Sequence, residues 1–198
     1  MAKTAKTTAY APRLKTIYNN EVIAKLSKEL GVKNVNQLPR LSKIVVSSGT
    51  GKKKDDKRFH EAVINTITKI TGQKPVDRMA KKSIATFKVR AKLNVVGVSV
   101  TLRNNHMYEF LDRFINVVLP RVRDFHGVSN TSFDQDGNYS IGLVDQSVFP
   151  ELTFEETQTV HGLQVTFVFK NGSLEGSKAL LSAFGMPFDK IVTKKGKK

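Results

Sequence analysis

Residues 78–92 read Arg78-Met79-Ala80-Lys81-Lys82-Ser83-Ile84-Ala85-Thr86-Phe87-Lys88-Val89-Arg90-Ala91-Lys92, six cations with no carboxylate among them. Like charges repel and cannot be buried unpaired, so this stretch is barred from any core strand or core helix. Such a cluster persists when a polyanion outside the chain neutralises it. Small residues and Phe87 are interleaved with the cations, which suits a nucleic-acid backbone with a ring to stack on a base or sugar.

The flanks say what the segment is. Residues 73–79 read as a strand leading in. Residues 93–102 read as the return strand, with Val96, Val98, Val100 and Leu102 on one face. The basic stretch is then a projecting, hairpin-like finger between two strands. Apolar residues recur every three to four positions over 15–30, ahead of Gly31, and again from Phe59 to Ile70, ahead of Gly72. Both runs predict amphipathic helices, the second capped by Asp55 or Asp56. A strand is expected over 42–47, followed by a glycine-hinged cationic loop at 49–54. A third helix, capped by Asn104 or Asn105, carries Met107, Phe110, Leu111, Phe114, Ile115 and Val118 and stops at Pro120. Short strands at 138–143 and 158–169 and a last helix over 173–184 complete the pattern. Strands and helices do not alternate strictly and several strand pairs look hairpin-connected. The expectation is an α+β fold, helices packed on a largely antiparallel sheet with a long basic loop between two strands. One domain is expected over 13–190, between a flexible basic arm at 1–12 and a lysine-rich tail at 191–198.

Whole-chain charge agrees with the finger: 33 Lys plus Arg against 17 Asp plus Glu, a formal net charge of +16. A surplus on this scale points to nucleic acid. A solubilising surface or anionic lipid is disfavoured, since no long basic amphipathic helix appears. Cysteine is absent, which excludes disulfides and thiolate metal sites and fits a reducing compartment. Neither a secretory signal nor an apolar run of spanning length is seen, so an intracellular soluble protein is expected.

Enzyme chemistry finds no footing. His60-Glu61 opens like a zinc-protease helix, but Ile64 stands where the second histidine belongs. Gly49-Thr50-Gly51-Lys52-Lys53 resembles part of a phosphate-cradling loop, with Val46 in place of the first glycine and Lys53 in place of the Mg²⁺-binding hydroxyl. His60, His106, His126 and His161 fall in separate segments. Asp145, Glu151, Glu155 and Glu156 read as an acidic solvated loop. No catalytic residue, metal or cofactor is assigned.

The cations lie on loops and at strand ends rather than along one helix stripe, as a major-groove reader would carry them. They suit irregular folded RNA. Thr166-Phe167-Val168-Phe169 has the alternation of an RNA-recognition sheet without its glycines, so core packing explains it at least as well. Gly49 and Gly51 would let a phosphate or sugar approach the bare backbone, or would merely turn the chain.

Six runs occur in order and spacing: Gly72-Gln73-Lys74-Pro75; Lys82 through Arg90; Val100-Thr101-Leu102-Arg103; Pro120-Arg121-Val122-Arg123-Asp124-Phe125-His126-Gly127; Gly137-Asn138-Tyr139-Ser140-Ile141-Gly142; and Phe149-Pro150-Glu151. Together, over about residues 10–189, they resemble the bacterial ribosomal L-five family, large-subunit proteins that bind 5S rRNA. The resemblance implies a non-catalytic constituent of the cytoplasmic ribosome, seated in the central protuberance against 5S rRNA, large-subunit rRNA and neighbouring large-subunit proteins, away from membranes. It also implies a loop reaching P-site tRNA and a share in a bridge to a small-subunit head protein. Carried onto matching positions, it places the tRNA contact on Arg78, Lys81, Lys82, Ser83, Thr86, Phe87, Lys88 and Arg90. The rRNA contact falls on Ser47, Gly49, Gly51, Lys52, Gln73, Lys74, Arg103, Arg121 and Arg123. Ser47-Ser48-Gly49-Thr50-Gly51 stands where the family commonly has Asn-Met-Gly-Val-Gly, so a hydroxyl replaces an amide at position 47. Thr86 stands where a glycine is common, which stiffens the loop. Two alternatives from other classes are an RNA-binding or RNA-chaperone regulator acting off the ribosome, and an enzyme on RNA.

Overall fold

The computed structural model describes residues 10–51 and 56–189. Most of the expected basic arm, Lys52 and the lysine-rich tail fall outside the described residues.

α1 starts after Pro12, runs Arg13–Ile17, passes through a π-helical turn at Tyr18–Val22 and continues over Ile23–Leu30. Gly31 ends it at φ +65, a left-handed conformation that costs glycine little. α2, Lys57–Thr71, is capped by Asp56, whose carboxylate accepts from the Phe59 N–H at 3.2 Å. α3, Asn104–Arg113, continues through a π turn at Phe114–Val118 into a 3₁₀ turn at Leu119–Arg121 that contains Pro120. A short α4, Phe154–Thr157, and α5, Leu174–Ala183, follow.

The five strands are β1 Arg40–Gly49, β2 Val76–Met79, β3 Val95–Leu102, β4 Tyr139–Leu143 and β5 Leu163–Lys170. They form one antiparallel sheet in the order β2-β3-β1-β5-β4. The expected α+β architecture is present. Register sorts the side chains by period two. Ile44 faces Leu102 and Phe167, and Val46 faces Val100 and Val165, all buried on the face that the helices cover. Against them pack Leu26, Val63, Ile67, Leu111 and Leu180, each fully buried. Phe167 and Phe169 are core residues, which settles the ambiguous alternation in β5 in favour of packing.

Some expectations shift. Strand β2 begins at Val76 and β5 at Leu163, each later than expected, since residues 73–75 and 158–162 stand outside the ladder pairing. Neither Asn104 nor Asn105 caps α3. Arg103 occupies the cap position without a side-chain bond, and Asn104 takes φ +53. Asn105 is engaged elsewhere, accepting from Lys15 Nζ at 3.0 Å and so tying α1 to α3 beside the Arg13–Asp112 ion pair.

Candidate nucleic-acid interface

The finger is a braced structure. Ile84 and Val89 pair across its tip, with N–H···O distances of 2.9 and 3.1 Å. At its root, Ala80 N–H donates to Asn94 O at 3.0 Å and Lys92 N–H to Ala80 O at 2.9 Å. Two side chains complete the frame: Ser83 Oγ accepts from Ala91 N–H at 3.0 Å, and Asn94 Oδ1 accepts from Arg90 N–H at 2.7 Å. Lys88 and Lys92 sit at φ +49 and +60, a region disfavoured for side-chain-bearing residues by roughly 1–2 kcal/mol each. The surrounding bonds hold them there. Lys81, Lys82, Thr86, Lys88 and Arg90 are exposed, and Phe87 is 70% exposed. Among the described residues no carboxylate pairs with Arg78, Lys81, Lys82, Arg90 or Lys92. The charge of these five points outward and is not neutralised by the acids of the described chain.

Finger and sheet meet at Arg78, whose Nε donates to Ser99 Oγ at 2.6 Å. Ser99 belongs to the sheet face opposite the helices. One row there crosses all five strands as Val76, Ser99, Ser47, Gln164 and Gly142, and a neighbouring row holds Arg78, Gly97 and Gly49. Further along lie Val45, Thr101, Thr166 and Ser140, the last two joined through their hydroxyls at 3.1 Å. Apart from Val76 and Val45 these are glycines or polar side chains, so a polar polymer can approach the backbone closely. Gly97 permits the tightest spacing: a Cβ there would lie 2.8 Å from Ser48 O. Ser48 itself is turned inward, donating to Gly162 O at 2.7 Å, so of this serine pair only Ser47 lies on the open face.

The sequence-assigned residues therefore fall into three places. Arg78 to Arg90 form the finger. Ser47 and Gly49 lie on the open face, with Gly51 just past the end of β1, and Gln73, Lys74 and Arg103 are exposed at the other end of the β2–β3 pair. Arg121 and Arg123 are exposed at the start of the connector that runs along β4, at the sheet edge remote from the finger. Ser83 Oγ accepts from the finger's own backbone, which leaves its O–H to donate outward. Asn94, Ser99, Thr101, Gln164 and Thr166 went unassigned in the sequence. Alternation gives which residues share a face, but only the strand order shows that they form one continuous surface.

The acidic segment is ordered rather than merely solvated. Thr153 and Glu156 form a reciprocal capping box on α4, Lys69 Nζ lies 2.7 Å from Glu156, and Arg113 pairs with Glu151. The hydrogen bond from Lys69 holds the Glu156 carboxyl below its usual range. His60 Nε2 meets Asp77 Oδ1 at 3.2 Å, a link between α2 and β2. Among the described residues no group of three or more metal-ligating side chains converges, and no helix is long and apolar enough to cross a membrane.

A helix-backed antiparallel sheet with an open polar face and a braced, outward-charged finger defines a docking protein for an extended polyanion. Comparison with known proteins gives the particular family. The ribosomal protein L5 pattern matches residues 34–90, and the C-terminal pattern of the same ribosomal family matches residues 95–188. A large ribosomal subunit protein uL5 from Fusobacterium nucleatum is 49% identical over 181 residues, covering 91% of this chain and 98% of the relative. Proteins of the same name from Clostridium kluyveri and Prochlorococcus marinus are each 48% identical, covering 89% of this chain and 97% and 98% of their own lengths. The chain belongs to the ribosomal protein L5 family.

Proposed function

We propose a division of labour for this non-enzymatic constituent of the large ribosomal subunit: the open sheet face holds 5S rRNA, and the finger reaches P-site tRNA. The observation that carries the reading is the finger itself, braced by its own backbone while Arg78, Lys81, Lys82, Arg90 and Lys92 find no carboxylate partner among the described residues. Ordering that loop in advance removes part of the entropic cost of meeting RNA. The cations screen phosphates, and Phe87 stacks or wedges against a base or sugar.

On the sheet, Ser47 and Gly49 offer a hydroxyl and a bare backbone, while Gln73, Lys74 and Arg103 add donors and charge at one end. Arg121 and Arg123, on the far edge, suit a separate stretch of large-subunit rRNA. A bridge to the small-subunit head needs other chemistry, because carboxylates repel RNA. The segment with exposed Glu155 beside Phe154, 80% exposed, suits a basic protein there.

Footprinting of the purified protein on 5S rRNA, together with co-sedimentation on large subunits, tests the assignment. Stoichiometric recovery with the subunit and a discrete protected region are expected. A predominantly free pool with no protection on 5S rRNA would instead favour a regulator acting off the ribosome.

A further inference from the structure

Between the finger, the end of β1 and the two ends of the β4–β5 connection lies a groove of about 1170 Å³. Ile84, Phe87 and Val89 form one wall, and Val144 and Val160 the other, with Val144 88% exposed. Gly49, Gly51 and Gly162 contribute bare backbone, and Lys81 and Lys82, both exposed, also line it. Among the described residues no carboxylate lines it. His161 lies at the groove with only 5% of its surface exposed. Its Nδ1 is 3.1 Å from Thr159 O, and a carbonyl only accepts, so Nδ1 carries the proton. Nε2 is then a lone-pair acceptor, and it is buried without a partner among the described residues. Burial also lowers the imidazole pKa, which favours this neutral form.

We propose that this groove takes the base of one unpaired nucleotide of the RNA that the finger engages, its flanking phosphates held by Lys81 and Lys82. The assignment rests on the reading of the finger as an RNA contact and extends it to a defined subsite. Apolar walls joined by two exposed cations match a flat ring bearing an anionic backbone. An extended peptide fits less well, since most of its N–H and C=O groups would meet apolar side chains, with bare backbone only at the three glycines. A base edge that donates a hydrogen bond supplies what His161 Nε2 lacks, once the side chains that cover that nitrogen move aside to admit the ring. Glycine backbone lets the ring lie close.

The test uses the full-length protein and two fluorescein-labelled RNA hexamers, one of abasic riboses throughout and the same oligomer with one central adenosine, compared by anisotropy at low salt. Both carry the same phosphates, so the finger's charge treats them alike. The adenosine-bearing hexamer is expected to bind about ten-fold more tightly. His161→Leu should erase that preference. Val144→Gln, at a site exposed enough to leave folding untouched, should reduce it. Equal affinity of the wild-type protein for the two hexamers overturns the proposal and leaves the groove to a protein segment, while the finger reading stands if binding still weakens steeply with salt. Failure of both hexamers to bind sinks the finger reading as well.

Discussion

His161 shows how one side chain registers its surroundings. Burial lowers its pKa from 6.5, outweighing the Thr159 carbonyl and the nearby Asp145 charge, which both act to raise it. As pH falls through about 6.5 the unfolded chain takes up a proton that the folded chain refuses. Stability is therefore full above that value and declines below it, down to the folded pKa. A urea midpoint that drops between pH 7.5 and 5.5 in the wild type, and drops less in His161→Leu, is the expected result. Ser83 and Asn94 make a second prediction at this scale. Their side chains hold the Ala91 and Arg90 amides, so Ser83→Ala or Asn94→Ala should each loosen the finger by about 1 kcal/mol. Faster hydrogen exchange at those two amides, with the sheet amides unchanged, would register it. Ser83 was legible in the sequence as a member of the basic stretch, but its bond to Ala91 is a product of the turn and has no signature of its own. Asn94 lacked any signal beyond lying four residues from Arg90.

At the scale of elements, the proposed division between finger and sheet makes its own prediction. Replacing Lys81, Lys82 and Lys88 together with Ala should weaken P-site tRNA retention and flatten its salt dependence by about two units of log–log slope. Binding of 5S rRNA should be nearly unchanged, and equal loss of both would refute the division. Gly97→Ala acts on the sheet instead. The added carbon meets the Ser48 carbonyl, a backbone atom that cannot swing aside, so a loss of roughly 1–3 kcal/mol in urea unfolding is expected. The finger was readable because six cations without an acid can only be outside. The strands were readable from Val96 to Leu102 and from Leu163 to Phe169 by alternation. Their order was not, since nothing in residues 40–49 says that both neighbours come from far downstream. Cap chemistry succeeded at Asp56 and failed at Asn104, which takes a positive φ one position past the cap, inside the helix.

At the scale of the whole molecule, the net charge of +16 sets how attachment responds to ions. If about five phosphates are neutralised, log affinity for RNA should fall against log salt with a slope of roughly −3.5 to −4.5. A shallow slope would mean that shape and hydrogen bonding dominate. The two family matches divide at the finger, yet the sheet draws β1 and β2 from the first and β3, β4 and β5 from the second. Central β1 pairs with β3 on one side and β5 on the other. During its own synthesis the chain therefore emerges with its middle strand lacking one neighbour until more than a hundred further residues have been added. At about 5–20 residues per second that interval lasts on the order of ten seconds. A nascent polypeptide in that condition offers an open edge to chaperones or to other nascent chains, and its escape from aggregation depends on the speed at which the last third is translated.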